Sequence, residues 1–247
     1  MKIFYFTATG NNLYVAKSFE AEYYSIPKLL KENNLNFEDD KIGIVFPVYH
    51  SGVPKIVEEF LDKAKLKSNY FFGIATYGMY AGASTIHLLK IGERNGIKFS
   101  YVNELIMVDN YIPGFDMDKQ IKTQSKKNIE ANLNKIIEDV TSNKIYLKKH
   151  FKVSEIVRSL NEKLYDPNFD KKFIVDDSCI SCKICEKVCP VNNITVATKP
   201  KFNGNCQHCL ACIQNCPKKA IKLKNQKSDS RFINENVTLK EIIDSNN

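Results

Sequence analysis

Cys179, Cys182, Cys185 and Cys189, followed by Pro190, spell C-x2-C-x2-C-x3-C-P. Cys206, Cys209, Cys212 and Cys216, followed by Pro217, repeat the pattern 27 positions later. These 8 cysteines are the only ones in the 247-residue chain, and they share one 38-residue window. Thiolates in this spacing ligate 4Fe–4S clusters. Three cysteines at x2 spacing wrap one cubane corner by corner. The fourth, placed before a proline that turns the chain away, reaches the other cluster. One cluster is therefore assigned to Cys179, Cys182, Cys185 and Cys216, and the other to Cys206, Cys209, Cys212 and Cys189. Crossed ligation would make cluster and fold one cooperative unit. Zinc favours two C-x2–4-C pairs parted by a longer loop, which these runs match poorly. A disulfide framework needs an oxidising compartment, and Met1-Lys2 leads straight into strand-like Ile3-Phe4-Tyr5-Phe6 instead of a secretory signal.

A second kind of chemistry is spelled near the N-terminus. Thr7-Ala8-Thr9-Gly10-Asn11-Asn12 follows an apolar stretch over 2–6 and precedes a helical pattern through Leu13, Val15, Ala16 and Phe19. A strand, a hydroxyl- and amide-rich loop and a helix make a phosphate-binding arrangement, because a helix N-terminus offers unpaired N–H groups. The loop is neither a Walker loop nor G-x-G-x-x-G, so a nicotinamide site has no support. It holds no lysine or arginine, which leaves hydrogen bonds and the helix dipole to hold a phosphate. Threonine–asparagine loops also simply cap helices. Two further loops stand out, Pro47-Val48-Tyr49-His50-Ser51-Gly52-Val53-Pro54 and Tyr77-Gly78-Met79-Tyr80-Ala81-Gly82.

These loops need elements to position them. Apolar runs over 41–46, 70–76 and 97–107 read as strands, and 55–64 and 83–94 as helices. Such alternation predicts a parallel sheet covered on both faces. Ligands of such sheets bind past the strand C-termini, where all three loops fall. Between 115 and 165, Ile121, Ile129, Leu133, Ile136, Ile137 and Val140 recur at helical spacing, as do Ile156, Val157, Leu160 and Leu164. The first stripe should cover the sheet and the second should bridge to the cysteines. Asp166-Pro167-Asn168 marks a boundary. The expected organisation is a phosphate-ligand-binding unit over 1–143, a helical connector over 144–170, a cluster unit over 171–225 and a tail over 226–247 with a short helix capped by Thr238.

At this point the chain resembles the flavodoxin–ferredoxin fusion proteins of anaerobic bacteria and archaea over nearly its whole length. The three loops look like the flavin-contacting loops of flavodoxins, and the stretches from Val108 to Pro113 and from Asn236 to Ile242 are also similar to that family. The resemblance implies an α/β flavodoxin-like doubly wound sheet of order 2-1-3-4-5, a small dicluster ferredoxin domain and a non-covalent FMN held by residues 1–143. It implies phosphate contacts from Thr7, Ala8, Thr9, Gly10, Asn11 and Asn12. It implies isoalloxazine contacts from Pro47, Val48, Tyr49, His50, Gly52, Thr76, Tyr77, Gly78, Tyr80 and Gly82. With no tryptophan in the chain, Tyr49, Tyr77 or Tyr80 is expected to stack on the flavin. His208, inside a C-x-x-C, is a candidate to tune its cluster, while His87 and His150 read as structural.

The formal charge of +8 is not a nucleic-acid footprint. Residues 1–115 balance 12 basic against 12 acidic side chains, and 166–225 carry 10 against 5. Each oxidised cluster with four thiolates would bring about −2 and largely cancel that excess. The surplus lysines are expected to steer an acidic redox partner or simply to solvate the surface. No apolar run approaches the roughly 18 residues of a membrane span, so a cytoplasmic protein with reduced thiols is expected. The leading expectation is intramolecular electron transfer, joining a one- or two-electron flavin to one-electron clusters as a low-potential carrier. A flavin-dependent reductase of a quinone, nitro compound or oxygen-derived species, fed by its own clusters, is the alternative. A cluster- or zinc-based nucleic-acid regulator ranks last. Expected partners are a protein donor or acceptor and, for a reductase, a small-molecule substrate. The assembly is open between a monomer and a homodimer that sets one chain's cluster beside the other's flavin.

Overall fold

The computed structural model describes every residue except 33, 34, 149–151, 164 and 167, so His150, Leu164 and Pro167 lie outside the described residues. In chain order the first half runs β1 (Lys2–Tyr5), α1 (Asn11–Lys17), β2 (Glu22–Ser25), α2 (Ile26–Leu29), β3 (Asn36–Glu38), β4 (Lys41–Pro47), α3 (Lys55–Lys63), β5 (Lys65–Lys67), β6 (Tyr70–Tyr77), α4 (Ser84–Arg94) and β7 (Phe99–Ile106). The chain continues through α5 (Met117–Lys122), α6 (Ile129–Thr141), β8 (Tyr146–Leu147) and α7 (Lys152–Lys163).

Six strands form a sheet in the order β2-β1-β4-β6-β7-β8, and every neighbour pair is parallel. Its inner strands are buried on both faces, so they read as apolar runs and not as alternation. Alternate residues still part to opposite sides. Ile3, Tyr5, Val45, Phe72 and Ile74 pack with Leu13, Leu133, Ile136 and Val140 of α1 and α6. Phe4, Phe6, Ile44, Phe46 and Phe71 pack with Phe60 of α3 and Leu88 of α4.

Two expectations need correction. The sheet is not a five-stranded 2-1-3-4-5 sheet. The short strands β3 and β5 pair with each other outside it, and β8 adds a sixth strand at the far edge. Nor is the connector wholly helical. α6 acts as a crossover that returns the chain to the sheet edge, where β8 joins β7 before α7 begins. α7 then lies over the loops, with Asn161 Nδ2 donating to Ser51 Oγ at 2.9 Å.

The cysteine region contains β9 (Phe173–Val175), α8 (Ile184–Lys187), β10 (Ile194–Val196), β11 (Pro200–Phe202), α9 (Ala211–Gln214) and β12 (Ile221–Leu223). The sequence repeat is also a structural repeat. Ser181, Lys183 and Asn192 adopt left-handed backbone at φ 54°, 61° and 52°, and their counterparts His208, Leu210 and Lys219 do so at 57°, 58° and 52°. β9 pairs with β12 and β10 with β11, both antiparallel, so one ladder ties the two halves together.

The tail ends in α10 (Leu239–Asn246). Thr238 Oγ1 accepts from Glu241 N at 3.2 Å, and the Glu241 carboxylate accepts from Thr238 N at 2.8 Å, a capping box. Val237 and Ile242 of the tail, and Val188 and Ala211 of the cysteine region, share one buried cluster with Ile3, Val45 and Leu105 of the sheet. No helix among the described residues is long and apolar enough to cross a membrane.

Candidate redox centre

The chain order reverses beside β1, whose neighbours are β2 and β4. A cavity of about 550 Å³ opens past the strand C-termini there. Of the loop residues singled out in the sequence, Thr7, Ala8, Thr9, Asn11, Asn12, Pro47, Val48, Tyr49, His50, Thr76, Tyr77, Gly78 and Tyr80 line it. Gly10, Gly52 and Gly82 do not; they shape the loops from behind. Gly10 has φ +95°, and a Cβ there would come within 3.0 Å of Val237 in the tail. A Cβ on Gly82 would come within 2.4 Å of Ser51, in the turn where His50 and Ser51 both have positive φ.

The 7–12 loop is held tightly. Gly10 N donates to Thr7 Oγ1 at 3.1 Å, Thr76 Oγ1 to Asn12 Oδ1 at 2.7 Å and Asn110 Nδ2 to Thr9 Oγ1 at 2.6 Å. Asn12 therefore ties the loop to β6. Tyr49 is wedged edge-on against Phe6, at 6.0 Å and 87°. Burial drives its phenol well above the ordinary value, with the nearby Cys209 and Cys206 adding to the rise. Tyr80 is 54% exposed at the rim. His87 Nδ1 accepts from Val53 N at 3.1 Å, the structural role expected of it.

Several lining residues were not singled out as ligand contacts in the sequence, although Asp109 and Tyr111 lie in the 108–113 stretch noted there. Asp109 and Tyr111 approach from the segment after β7, and Phe115, Phe169 and Lys172 from farther along the chain. Burial pushes the Asp109 carboxyl up. A Cβ on Gly78 would fall 2.2 Å from Asp109, so only glycine fits there. Lys127 Nζ donates to Gly78 O at 2.8 Å and to Met107 O at 2.7 Å, fixing the rim from below.

The eight cysteines gather in two smaller cavities. Cys179, Cys182, Cys185 and Cys216 line one, with Lys183 and Lys218 at its edge. Cys189, Cys206, Cys209 and Cys212 line the other. These are the two crossed sets that the spacing predicts. All eight are free thiols. Burial pushes the thiols of Cys185 and Cys206 up to about 12 and about 11, and that of Cys212 well above its ordinary value. Thiols gathered in fours without disulfides, with Cys185, Cys189, Cys206 and Cys212 buried and Cys182 exposed, suit a cationic cluster that replaces their protons. The two crossing cysteines are held alike: Asn193 N donates to Cys189 Sγ at 3.2 Å and Ala220 N to Cys216 Sγ at 3.3 Å.

Cys209 and Leu210 line both the large cavity and the second four-cysteine cavity. His208 sits at this junction, not merely beside its own cysteines. Its ring stacks on Tyr165 at 4.4 Å and 13°, and on Phe169 at 4.4 Å and 29°. Its Nε2 lies 2.6 Å from Asp166 O, so that nitrogen carries the proton. Nδ1 then accepts from His50 Nε2 at 3.2 Å. Burial lowers the imidazole to about 4, in keeping with this neutral tautomer.

Comparison with known proteins places chemistry on the cysteine region. Residues 172–195 match the family described as a 4Fe-4S binding domain. A 62-residue stretch is 39% identical to one component of the ion-translocating oxidoreductase complex of Methanosarcina acetivorans, and it spans 24% of either chain. An uncharacterized protein of Methanocaldococcus jannaschii is 25% identical over 225 residues, 85% of this chain and 95% of its own. Among solved structures, a Bacteroides uniformis flavoprotein aligns with a TM-score of 0.34 at 15% identity, over 49% of this chain and 94% of its own. The rubredoxin oxygen:oxidoreductase of Desulfovibrio gigas aligns with a TM-score of 0.31 at 12% identity, over 54% of this chain and 36% of its own. The chain is an α/β protein with a parallel central sheet, and its C-terminal region carries a match to a 4Fe–4S binding domain.

Proposed function

We propose that this protein transfers electrons within one chain, between an FMN in the large cavity and two 4Fe–4S clusters in the four-cysteine cavities. The observation that carries the proposal is Cys209, a wall common to the large cavity and the Cys189/Cys206/Cys209/Cys212 cavity. A ligand of the inner cluster would thereby border the flavin, with no second chain required. Flavin handles one or two electrons and each cluster one, so their union converts between paired and single electrons.

The residues divide the work. Thr7, Ala8, Thr9, Asn11 and Asn12 would hold the phosphate, and Tyr49, His50, Thr76, Tyr77, Gly78 and Tyr80 would bound the isoalloxazine. Tyr49 and the His208 stack exclude water between the flavin and the inner cluster. Residues 1–143 make the flavin unit, 171–225 the cluster unit, and the connector and tail fasten one to the other. The outer cluster would face an acidic protein partner. Cys182 and Ile180 are exposed there, amid the exposed Lys183, Lys187, Lys218 and Lys219. The Methanosarcina acetivorans relative is by name part of an oxidoreductase complex, in keeping with electron delivery between proteins.

The test begins with anaerobic protein assayed for iron, sulfide and flavin. About eight iron, eight sulfide and one FMN per chain are expected. Rapid mixing with a one-electron reductant follows. Flavin bleaching after cluster bleaching, at a rate independent of protein concentration, supports transfer within the chain. A rate proportional to concentration, or protein that takes up no flavin, refutes it.

A further inference from the structure

Three successive carbonyls of the 7–12 loop are taken by the last third of the chain. Thr7 O accepts from Asn246 Nδ2 at 3.2 Å, Ala8 O from Asn215 Nδ2 at 3.0 Å, and Thr9 O from the backbone N of Asn234 at 2.8 Å. Asn234 Nδ2 also donates to Asn11 Oδ1 at 3.0 Å. All three asparagines are buried, with 3%, 7% and 1% exposure for Asn215, Asn234 and Asn246. They come from three places: the turn between Cys212 and Cys216, the returning segment, and the last turn of α10.

Asn215 and Asn246 are built alike. Each gives its second N–H to the carbonyl one helical turn back, Ala211 O and Ile242 O, both at 2.9 Å. Each leaves its own Oδ1 buried without a partner. An unpaired buried acceptor loses its hydration with no hydrogen bond to replace it. Carrying that cost twice points to a requirement for donors facing the loop.

The consequence follows from peptide geometry. In a trans peptide the C=O and the next N–H point in opposite directions, and no cis bond occurs among the described residues. Drawing the carbonyls of residues 7–9 toward the asparagines turns the N–H groups of Ala8, Thr9 and Gly10 the other way. Thr7, Ala8 and Thr9 line the large cavity, whereas Asn215, Asn234 and Asn246 do not. Gly10 N is already bound by Thr7 Oγ1. The N–H groups of Ala8 and Thr9 are left facing the cavity, in a loop with no cationic side chain.

We propose that Asn215, Asn234 and Asn246 are positioning residues for the phosphate of a flavin mononucleotide, and that they make flavin retention depend on the folded cysteine region and tail. The proposal rests on the cavity holding FMN. Asn215 lies next to a cluster ligand, so loss of the clusters would release the Ala8 carbonyl and disorder the phosphate loop. The dependence is specific to phosphate, since the loop meets that end of the ligand.

The test measures the affinity of the full-length, cluster-loaded protein for FMN and for riboflavin, which lacks the phosphate. Asn215→Asp and Asn246→Asp keep size but replace a donor with an acceptor facing a carbonyl. Each should weaken FMN by at least about tenfold and riboflavin by less than about twofold. Wild-type protein stripped of iron by a chelator, a measurement that needs no variant, should show the same selective loss. Equal weakening of both flavins, or no weakening of either, overturns the asparagine proposal while leaving the flavin cavity standing. Wild-type protein that binds neither flavin refutes the cavity assignment itself, and the proposal with it.

Discussion

The two four-cysteine cavities are built from one repeated pattern yet stand in opposite surroundings. Their left-handed turns, helices and strands match at the repeat distance. Around Cys182 the surface is open and lysine-rich; around Cys209 it is closed by Tyr49, Leu210 and the wall of the large cavity. The same contrast holds at one pair of equivalent positions. Ser181 bonds the nearby Thr198 O, whereas its counterpart His208 is clasped between Tyr165 and Phe169 and joined to His50. The grouping of the cysteines is thus a local property, while the surroundings of each group are set by what packs against it.

The most forceful way to break this contrast is to delete one ligand from each side. Cys182→Ala and Cys209→Ala should each lower iron from about eight toward about four per chain. Only Cys209→Ala should stop cluster-to-flavin transfer, seen as loss of the flavin-bleaching phase in rapid mixing. Equal transfer in the two variants would dissolve the distinction between inner and outer sites.

Charge sharpens it next. Reversing Lys183 and Lys218 to glutamate should slow reduction by an acidic protein donor by about tenfold or more at low salt. The gap should close at about 1 M salt, where the screening length is about 3 Å. Reduction by a small neutral donor should not change. A salt-independent defect would remove the docking role from the outer face.

A smaller effect is expected at the equivalent pair. His208→Ala should destabilise the protein by about 1–2 kcal/mol through loss of two ring stacks, and Ser181→Ala by less than about 0.5 kcal/mol. Denaturant midpoints of the cluster-loaded proteins measure the difference. Matching values would make the aromatic clasp incidental.

The mildest test loosens the tail that braces the loop side. Thr238→Ala removes the α10 cap and should cost about 1 kcal/mol. The Glu241 carboxyl is held down to about 2, first by the Lys17 ammonium and then by the Thr238 N–H. A depressed carboxyl adds stability that is complete above its unfolded value near 4.5 and is lost as pH falls toward about 2. Proteolysis of the tail should rise across that window in the wild type, and Glu241→Gln should flatten the dependence.

Much of this was legible in the residues. The two crossed cysteine sets, the three loops at strand ends and the Thr238 cap each depend on a few neighbouring residues, and each stands where it was expected. The sixth strand was not legible, because Tyr146 and Leu147 form too short a run to show a period and owe their conformation to β7. Nor were the roles of Gly10 and Gly82, read as ligand contacts. Their freedom serves the close approach of the tail and of Ser51, which lie 227 and 31 positions away. Phe169 and Lys172 are ordinary residues in sequence and become cavity walls only by convergence.

The sequence by itself determined the two cysteine groups, the parallel α/β class and the position of the loops, because spacing and periodicity act over one or two turns of chain. Only the tertiary structure decided that Cys209, and not its equivalent Cys182, borders the large cavity. The two copies are alike in every cysteine. What separates them is the burial of one against loops and helices from distant parts of the chain, an outcome of the packing of the whole molecule and not of either repeat.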